Sequence, residues 1–475
     1  MRCLLLIAAA GIAYALAQGA PASPGLCPVR QYGAVGDGKT LDTAAFNRAI
    51  EACAAAGGGQ VLVSPGHYLT GTIRLKSNIT LLLDAGAEIA GTSDLTQYEA
   101  FNPPDGKLPT STSSPWHRAL VLGVNVENVS ITGRGVINGN KVFDPQGEEH
   151  MRGPHAVLFG NSRNIALRDI SIRDAGNYAV MLEFTSDVEV RGIKVTGGWD
   201  GVHFRGGKDR PNRNVTITDS EFYTGDDSIA GWFWEDTVIT RCILNSSCNG
   251  IRLIGPAKRL IIHDCLFFGP GRFEHRTSRE RHRTNMLAGI LLQPGAWDRT
   301  EGRLDDVQIS NVTMHDVATP FSLTLTPGNT AGRIEVNGMT ATGVYRAAAS
   351  IESWAEEPVE SVTMRGLNLE FAGGGRAAQA PVQRPHVDAR ELPVWGIYAR
   401  NVRSLELQDV RLNVIQPDGR PALMMDDVGR LELDAVHTPP SDVPALALFD
   451  VRELSLRNTD LKTSVSGAPP APAKQ

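Results

Sequence analysis

The chain has 475 residues, 42% hydrophobic and 21% charged, which is enough apolar material for a large core. No apolar run of about 18 residues follows the N-terminus, which argues against an integral membrane protein. Lys and Arg number 46 against 52 Asp and Glu, a net charge of −6, so a nucleic-acid partner that needs phosphate neutralisation is not expected.

The first element in chain order is a leader. Met1-Arg2 is a short positive start, Cys3 to Leu16 is apolar, and Ala15-Leu16-Ala17 is an A-x-A cleavage signal. Cleavage would start the mature chain near Gln18 and place it in the periplasm or outside the cell. Cys3 leaves with the leader, and Cys27, Cys53, Cys242, Cys248 and Cys265 remain without zinc-type spacing. Asp42 to Ala56 has helical spacing, with Asp42 or Thr43 as N-cap, and ends at Gly57-Gly58-Gly59. Such a helix would plug the open end of a solenoid.

A short phrase then recurs: a polar residue, an apolar one, any residue, an apolar one. Copies start at positions 164, 187, 214, 236 and 259, which are 23, 27, 22 and 23 residues apart. Others start at Asn78, Asn128, Asp306, Arg333, Ser361, Ser404, Arg430 and Glu453. Each reads as an alternating strand bounded by Gly, Asn or Asp. One such coil cannot bury its own face, so coils must stack. The expected fold is all-β, a single-stranded right-handed parallel β-helix with a short N-terminal capping helix. The expected division is a leader over 1–17, a cap region with the first strands over 18–77, the β-helix over 78–463 and a disordered tail over 464–475. Insertions at 101–116 and 371–393 read as loops over one side.

The repeat also aligns side chains. Asp200, Asp227 and Asn249 each lie 13 residues after the start of their own copy, at Asp187, Asn214 and Asp236. Equal offsets in consecutive coils stack at about 4.8 Å, so these three should form one column with Asp226 beside it. Carboxylates packed this closely repel, and at least one pKa should rise.

These residues carry a resemblance. Tyr32 to Gly38 (YGAVGDG), Gly57 to Thr72, Gly133 to Gly139 (GRGVING) and Thr224 to Ala230 (TGDDSIA) resemble glycoside hydrolase family 28, the polygalacturonase-like enzymes of the pectin-lyase-like β-helix superfamily. The likeness runs from about Val29 to about Val317. It implies a secreted, monomeric glycosidase acting on a pectin-like polysaccharide without metal or organic cofactor. It further implies Asp226 as general acid, with Asp200 and Asp227 activating water in an inverting scheme. That scheme ordinarily separates the carboxyls by roughly 6.5–9.5 Å.

The family pattern is interrupted in three places. Asn249 stands where the family's G-H-G has histidine, Leu291-Leu292-Gln293 where its R-I-K grips a uronate, and Gly198 where its N-T-D has asparagine. Substitute substrate contacts are sought in Asn249, Arg252, Arg205, Lys208 and His203, and in the basic stretch Arg272 to Arg283. Trp199, Trp232 and Trp234 are candidate sugar platforms, on the expectation that one Trp of Trp232-Phe233-Trp234 leaves the core. Cys27 is expected to pair with Cys53, and Cys242 with Cys265. The competing readings are a non-catalytic glycan-binding β-helix and a polysaccharide lyase of the same fold.

Overall fold

The computed structural model describes residues 25–99, 118–276, 283–376, 382–388, 390–459 and 461–465. The leader, the 101–116 insertion and most of the tail lie outside them.

The polar residue that opens each phrase from Asn78 to Asp306 bends the chain, whereas Arg333, Ser361, Ser404, Arg430 and Glu453 do not take positive φ. Asn78, Asn128, Asn164, Asp187, Asn214, Asp236, Arg259 and Asp306 all have positive φ, between 51° and 63°. Asn and Asp enter this left-handed region at least cost among residues with a Cβ. The asparagines then bond up the stack: Asn128 Nδ2 donates to Asn78 Oδ1 at 2.8 Å and Asn164 Nδ2 to Asn128 Oδ1 at 2.7 Å. Local turn chemistry thus sets the corner, and the ladder holds it in register.

Every coil pairs parallel to the next. Val129, Ile165, Val188, Val215, Thr237, Leu260, Val307, Ile334, Val362, Leu405, Leu431 and Leu454 follow one another in register, one per coil. A second inward column runs Val121, Val157, Val180, Val202, Ile229, Ile251, Ile290. Apart from buried Thr237 and exposed Leu454, these belong to one core cluster running from Cys27 to Leu448. Each fully buried Val, Leu or Ile contributes on the order of 1.5–3 kcal/mol. The result is a parallel β-helix, right-handed as parallel crossovers are.

Helix α1 (Thr43–Ala55) closes the N-terminal end by burying Ala45, Phe46, Ala49, Ile50 and Cys53. Asp42 is the N-cap residue, as expected, but its side chain does not bond back to the helix. Asp42 instead accepts from the N–H groups of Val35 and Gly36, at 2.7 and 2.9 Å, and Thr43 Oγ1 accepts from Gly71 N. Docking the helix onto the first coils outweighs an intrahelical cap here. A disulfide joins Cys27 and Cys53, as expected. Cys242 and Cys265 are not bonded. Both are buried free thiols that donate to the carbonyls of Thr240 and His263, at 3.2 and 3.3 Å.

Candidate active site

Three consecutive corners build the site. They precede the strands Val202–Arg205, Ile229–Trp232 and Asn249–Leu253. Ala179 N donates to Asp200 O, Gly201 N to Asp227 O and Ser228 N to Asn249 O, at 2.8, 3.0 and 2.9 Å. Asp200, Asp227 and Asn249 are therefore stacked as their offsets require. The middle corner is pinned from two sides: Thr224 Oγ1 and Ser246 Oγ both donate to Asp226 O, at 2.8 and 2.7 Å. Gly225 has no room for a side chain, since a Cβ would lie 2.5 Å from Gly198 O and 2.7 Å from Glu274 O.

Asp200, Asp226 and Asp227 are all buried, and one oxygen of each lies within 4.8 Å of the others. Their environments differ. Asp226 Oδ2 accepts from Arg152 at 2.9 Å, and its Oδ1 lies 3.3 Å from His275 Nε2. His275 and Arg152 overcome burial and hold Asp226 well below the usual carboxylate range. Burial and the two neighbouring carboxylates push Asp200 well up. Burial also raises Asp227, opposed by Arg252 and by the Asn249 hydrogen bond. Asp227 Oδ1 accepts from Asn249 N and Nδ2 at 3.0 and 2.7 Å, and its Oδ2 lies 3.7 Å from Arg252. Asn249 thus orients Asp227 where the family pattern has histidine.

His203 does not stand in for that histidine. Its Nδ1 lies 2.6 Å from Asp200 Oδ2, its ring stacks on Tyr178 at 4.1 Å, and burial with Arg205 keeps it neutral. The imidazole beside Asp226 is His275, from the basic stretch. Arg283 of that stretch donates to Ser247 O and Cys248 Sγ, at 3.2 and 3.4 Å, while residues 277–282 lie outside the described ones. Arg205 is buried, with its guanidinium 5.3 Å from the Trp232 ring, and Lys208 is exposed on the turn beyond.

The three tryptophans are not sugar platforms, because other groups occupy their faces. Arg152 lies 3.9 Å from the Trp199 centroid, His203 and Arg205 crowd Trp232, and Phe204 stacks on Trp234 at 4.5 Å. Phe233, at φ 55°, turns the chain, so Trp232 and Trp234 fall on different walls and both remain buried. An exposed aromatic near the site is Trp297, 52% accessible, with the Arg252 guanidinium 5.3 Å from its ring. Sequence reasoning missed Trp297, Arg152 and the pairing of His275 with Asp226, because all three lie in segments outside the repeat.

Among the described residues, two donor sets could hold a metal ion: Asp200 with Asp226 and Asp227, and Asp226 with Cys248 and His275. In either, an ion would compete with the Arg152 guanidinium already on Asp226.

The chain is similar in sequence and fold to known proteins. Residues 27–252 match a family model described as rhamnogalacturonase A/epimerase, pectate lyase-like. A probable polygalacturonase of Vitis vinifera is 23% identical over 377 residues, 72% of this chain and 73% of that one. The chain is thus similar in sequence to polygalacturonases. An exo-poly-alpha-D-galacturonosidase of Dickeya chrysanthemi is 29% identical over 264 residues, 44% of this chain and 42% of the relative. In fold, the family 28 exopolygalacturonase of Yersinia enterocolitica superposes with a TM-score of 0.52 at 15% identity, covering 94% of this chain and 79% of that one.

Proposed function

We propose that the protein is a secreted glycoside hydrolase that cleaves O-glycosidic bonds of a pectin-like acidic polysaccharide by acid/base chemistry. The observation that carries this reading is the buried trio Asp200, Asp226 and Asp227, split electrostatically into one low and two raised carboxyls. Glycoside hydrolysis needs a proton donor and a base within one site. Asp226 and His275 act as the donor together. One proton shared across their 3.3 Å contact passes through Asp226 to the glycosidic oxygen, and its departure leaves carboxylate and neutral imidazole. Asp227, with Asp200 beside it, takes the proton of the attacking water. A raised pKa suits a base that works near neutrality.

Arg252, beside Asp227 and under Trp297, is the cation for a uronate, replacing those absent at Leu291-Leu292-Gln293. It pairs in register with Leu291, one coil away. The Cys27–Cys53 disulfide fits an oxidising compartment.

The test is product analysis on pectic and neutral polysaccharides, wild type beside Asp227→Asn. Saturated sugars released by wild type alone are expected. Unsaturated products would indicate a lyase, and binding without release a non-catalytic β-helix. One observation favours a second stereochemical course. Oxygens within 4.8 Å are closer than inverting carboxyls ordinarily stand and nearer the roughly 5–5.5 Å of retaining pairs. The anomer first seen by proton NMR distinguishes them: inversion is our reading, and a retained anomer would make Asp200 or Asp227 a nucleophile.

A further inference from the structure

The sulfur of Cys248 lies beside the acid and has no part in the chemistry above. Cys248 stands where the family's G-H-G opens with glycine. Its sulfur, the Asp226 carboxylate and the His275 imidazole each place one ligand atom within 4.8 Å of the others, and all three residues are buried. Each is held by a neighbour. Cys248 N donates to Ser246 Oγ at 2.8 Å, His275 N donates to Arg283 O at 2.8 Å, and Arg152 fixes Asp226 through Oδ2. Arg152 therefore leaves Oδ1, the oxygen 3.3 Å from His275 Nε2, for an ion.

The spacing fits a small tetrahedral cation. Bonds of about 2.0–2.1 Å to oxygen and nitrogen hold those two atoms about 3.3 Å apart, and a bond of about 2.3 Å to sulfur puts it about 3.6 Å from each. The Oδ1–Nε2 pair already has its distance. The sulfur, within 4.8 Å, has at most about 1.2 Å to close. Asn249 Nδ2 and Arg283 Nη2 both donate to it, at 3.3 and 3.4 Å, and two N–H donors suit a sulfur that has given up its proton. Burial pushes the free thiol up, so the sulfur keeps that proton until an ion displaces it. Charge then balances: the thiol proton and the proton shared by Asp226 and His275 leave to solvent as one dication enters. Thiolate with imidazole selects an ion such as Zn²⁺ or Cd²⁺ over Ca²⁺, which takes about six to eight oxygens.

We propose that Asp226, Cys248 and His275 bind one thiophilic divalent cation, and that the ion shuts off hydrolysis by displacing the proton that Asp226 and His275 share. The binding stands on the geometry, and the inhibition rests on the hydrolase reading of the site.

The experiment titrates the full chain with Co²⁺ and Zn²⁺, beside Cys248→Ala and, for binding only, His275→Gln. Alanine at 248 is close to the glycine of the family pattern, and circular dichroism with melting checks that both variants fold. One Co²⁺ per chain is expected to give a sulfur-to-cobalt absorption band in the near ultraviolet. That band should be absent from Cys248→Ala, although the buried thiols Cys242 and Cys265 remain. Zn²⁺ should displace the Co²⁺ and bind either variant at least roughly a hundredfold more weakly. Zn²⁺ should inhibit polyuronate hydrolysis by wild type, EDTA should restore it, and Ca²⁺ should have no effect. Measured against its own zinc-free rate, Cys248→Ala should need about a hundredfold more Zn²⁺ for the same inhibition. A band or a Zn²⁺ Kd unchanged in Cys248→Ala would overturn the site. Equal inhibition by Ca²⁺ would overturn it too, by placing the ion on the three carboxylates. Zn²⁺ bound through Cys248 with full activity retained would overturn the inhibition. Cys248-dependent binding in a protein that cleaves no polysaccharide would remove the hydrolase reading and leave the metal site standing.

Discussion

Replacing His275 by Gln tests whether Asp226 draws its proton from that imidazole. At 3.3 Å and an effective dielectric of about 20, an imidazolium and a carboxylate attract by about 5 kcal/mol. Burial on both sides keeps water from screening the contact. Its loss lets Asp226 rise back toward the usual carboxylate range. Arg152, on the other oxygen at 2.9 Å, still holds the carboxylate charged, so the variant keeps the anion but loses its proton source. The assay is kcat against pH on a polyuronate and on an aryl glycoside whose leaving group needs no protonation. We expect kcat on the polyuronate to fall about a hundredfold or more, with its alkaline limb altered and the aryl glycoside largely spared. An unchanged profile, or an equal fall on both substrates, would refute the shared-proton argument.

Other predictions follow from the same geometry. Asp200 has a raised folded pKa, so its contribution to stability is complete below the unfolded value of about 3.9 and is lost as pH rises through the folded value. Asp200→Asn should therefore raise Tm by a few degrees near pH 7 but not near pH 3, while activity falls; calorimetric scans at the two pH values check the sign. Trp297→Ala should raise KM roughly two- to fivefold, the equivalent of an exposed cation–π contact of about 0.5–1 kcal/mol, with kcat kept. Cys53→Ala opens a bridge across a sequence separation of 26 and should cost about 3–4 kcal/mol in urea unfolding, confined to the end capped by α1 if the coils unfold separately.

The β-helix was legible in the chain because its rules are local and repeat. Alternation sends every second side chain inward, and Asn or Asp at most phrase starts from Asn78 to Asp306 supplies the left-handed corner. Equal offsets then stack Asp200, Asp227 and Asn249 without any long-range information. The helix was legible by its spacing, but the lack of a capping bond was not, because Asp42 is drawn to Val35 and Gly36 by docking. The tryptophans were misread because alternation was carried through Phe233, where the chain turns. The electrostatic split within the carboxylate trio was beyond any pattern. Arg152 is 74 residues from Asp226 in sequence and reaches it from a loop with no place in the repeat. His275 arrives from the basic stretch beyond the next coil. A carboxyl's pKa depends on burial and on charges within a few ångströms, and both are properties of distance in space. The sequence by itself determined the coil and the column of stacked carboxylates. Only the tertiary structure decided which acid is held ionised, because folding alone brings Arg152 and His275 within reach of Asp226.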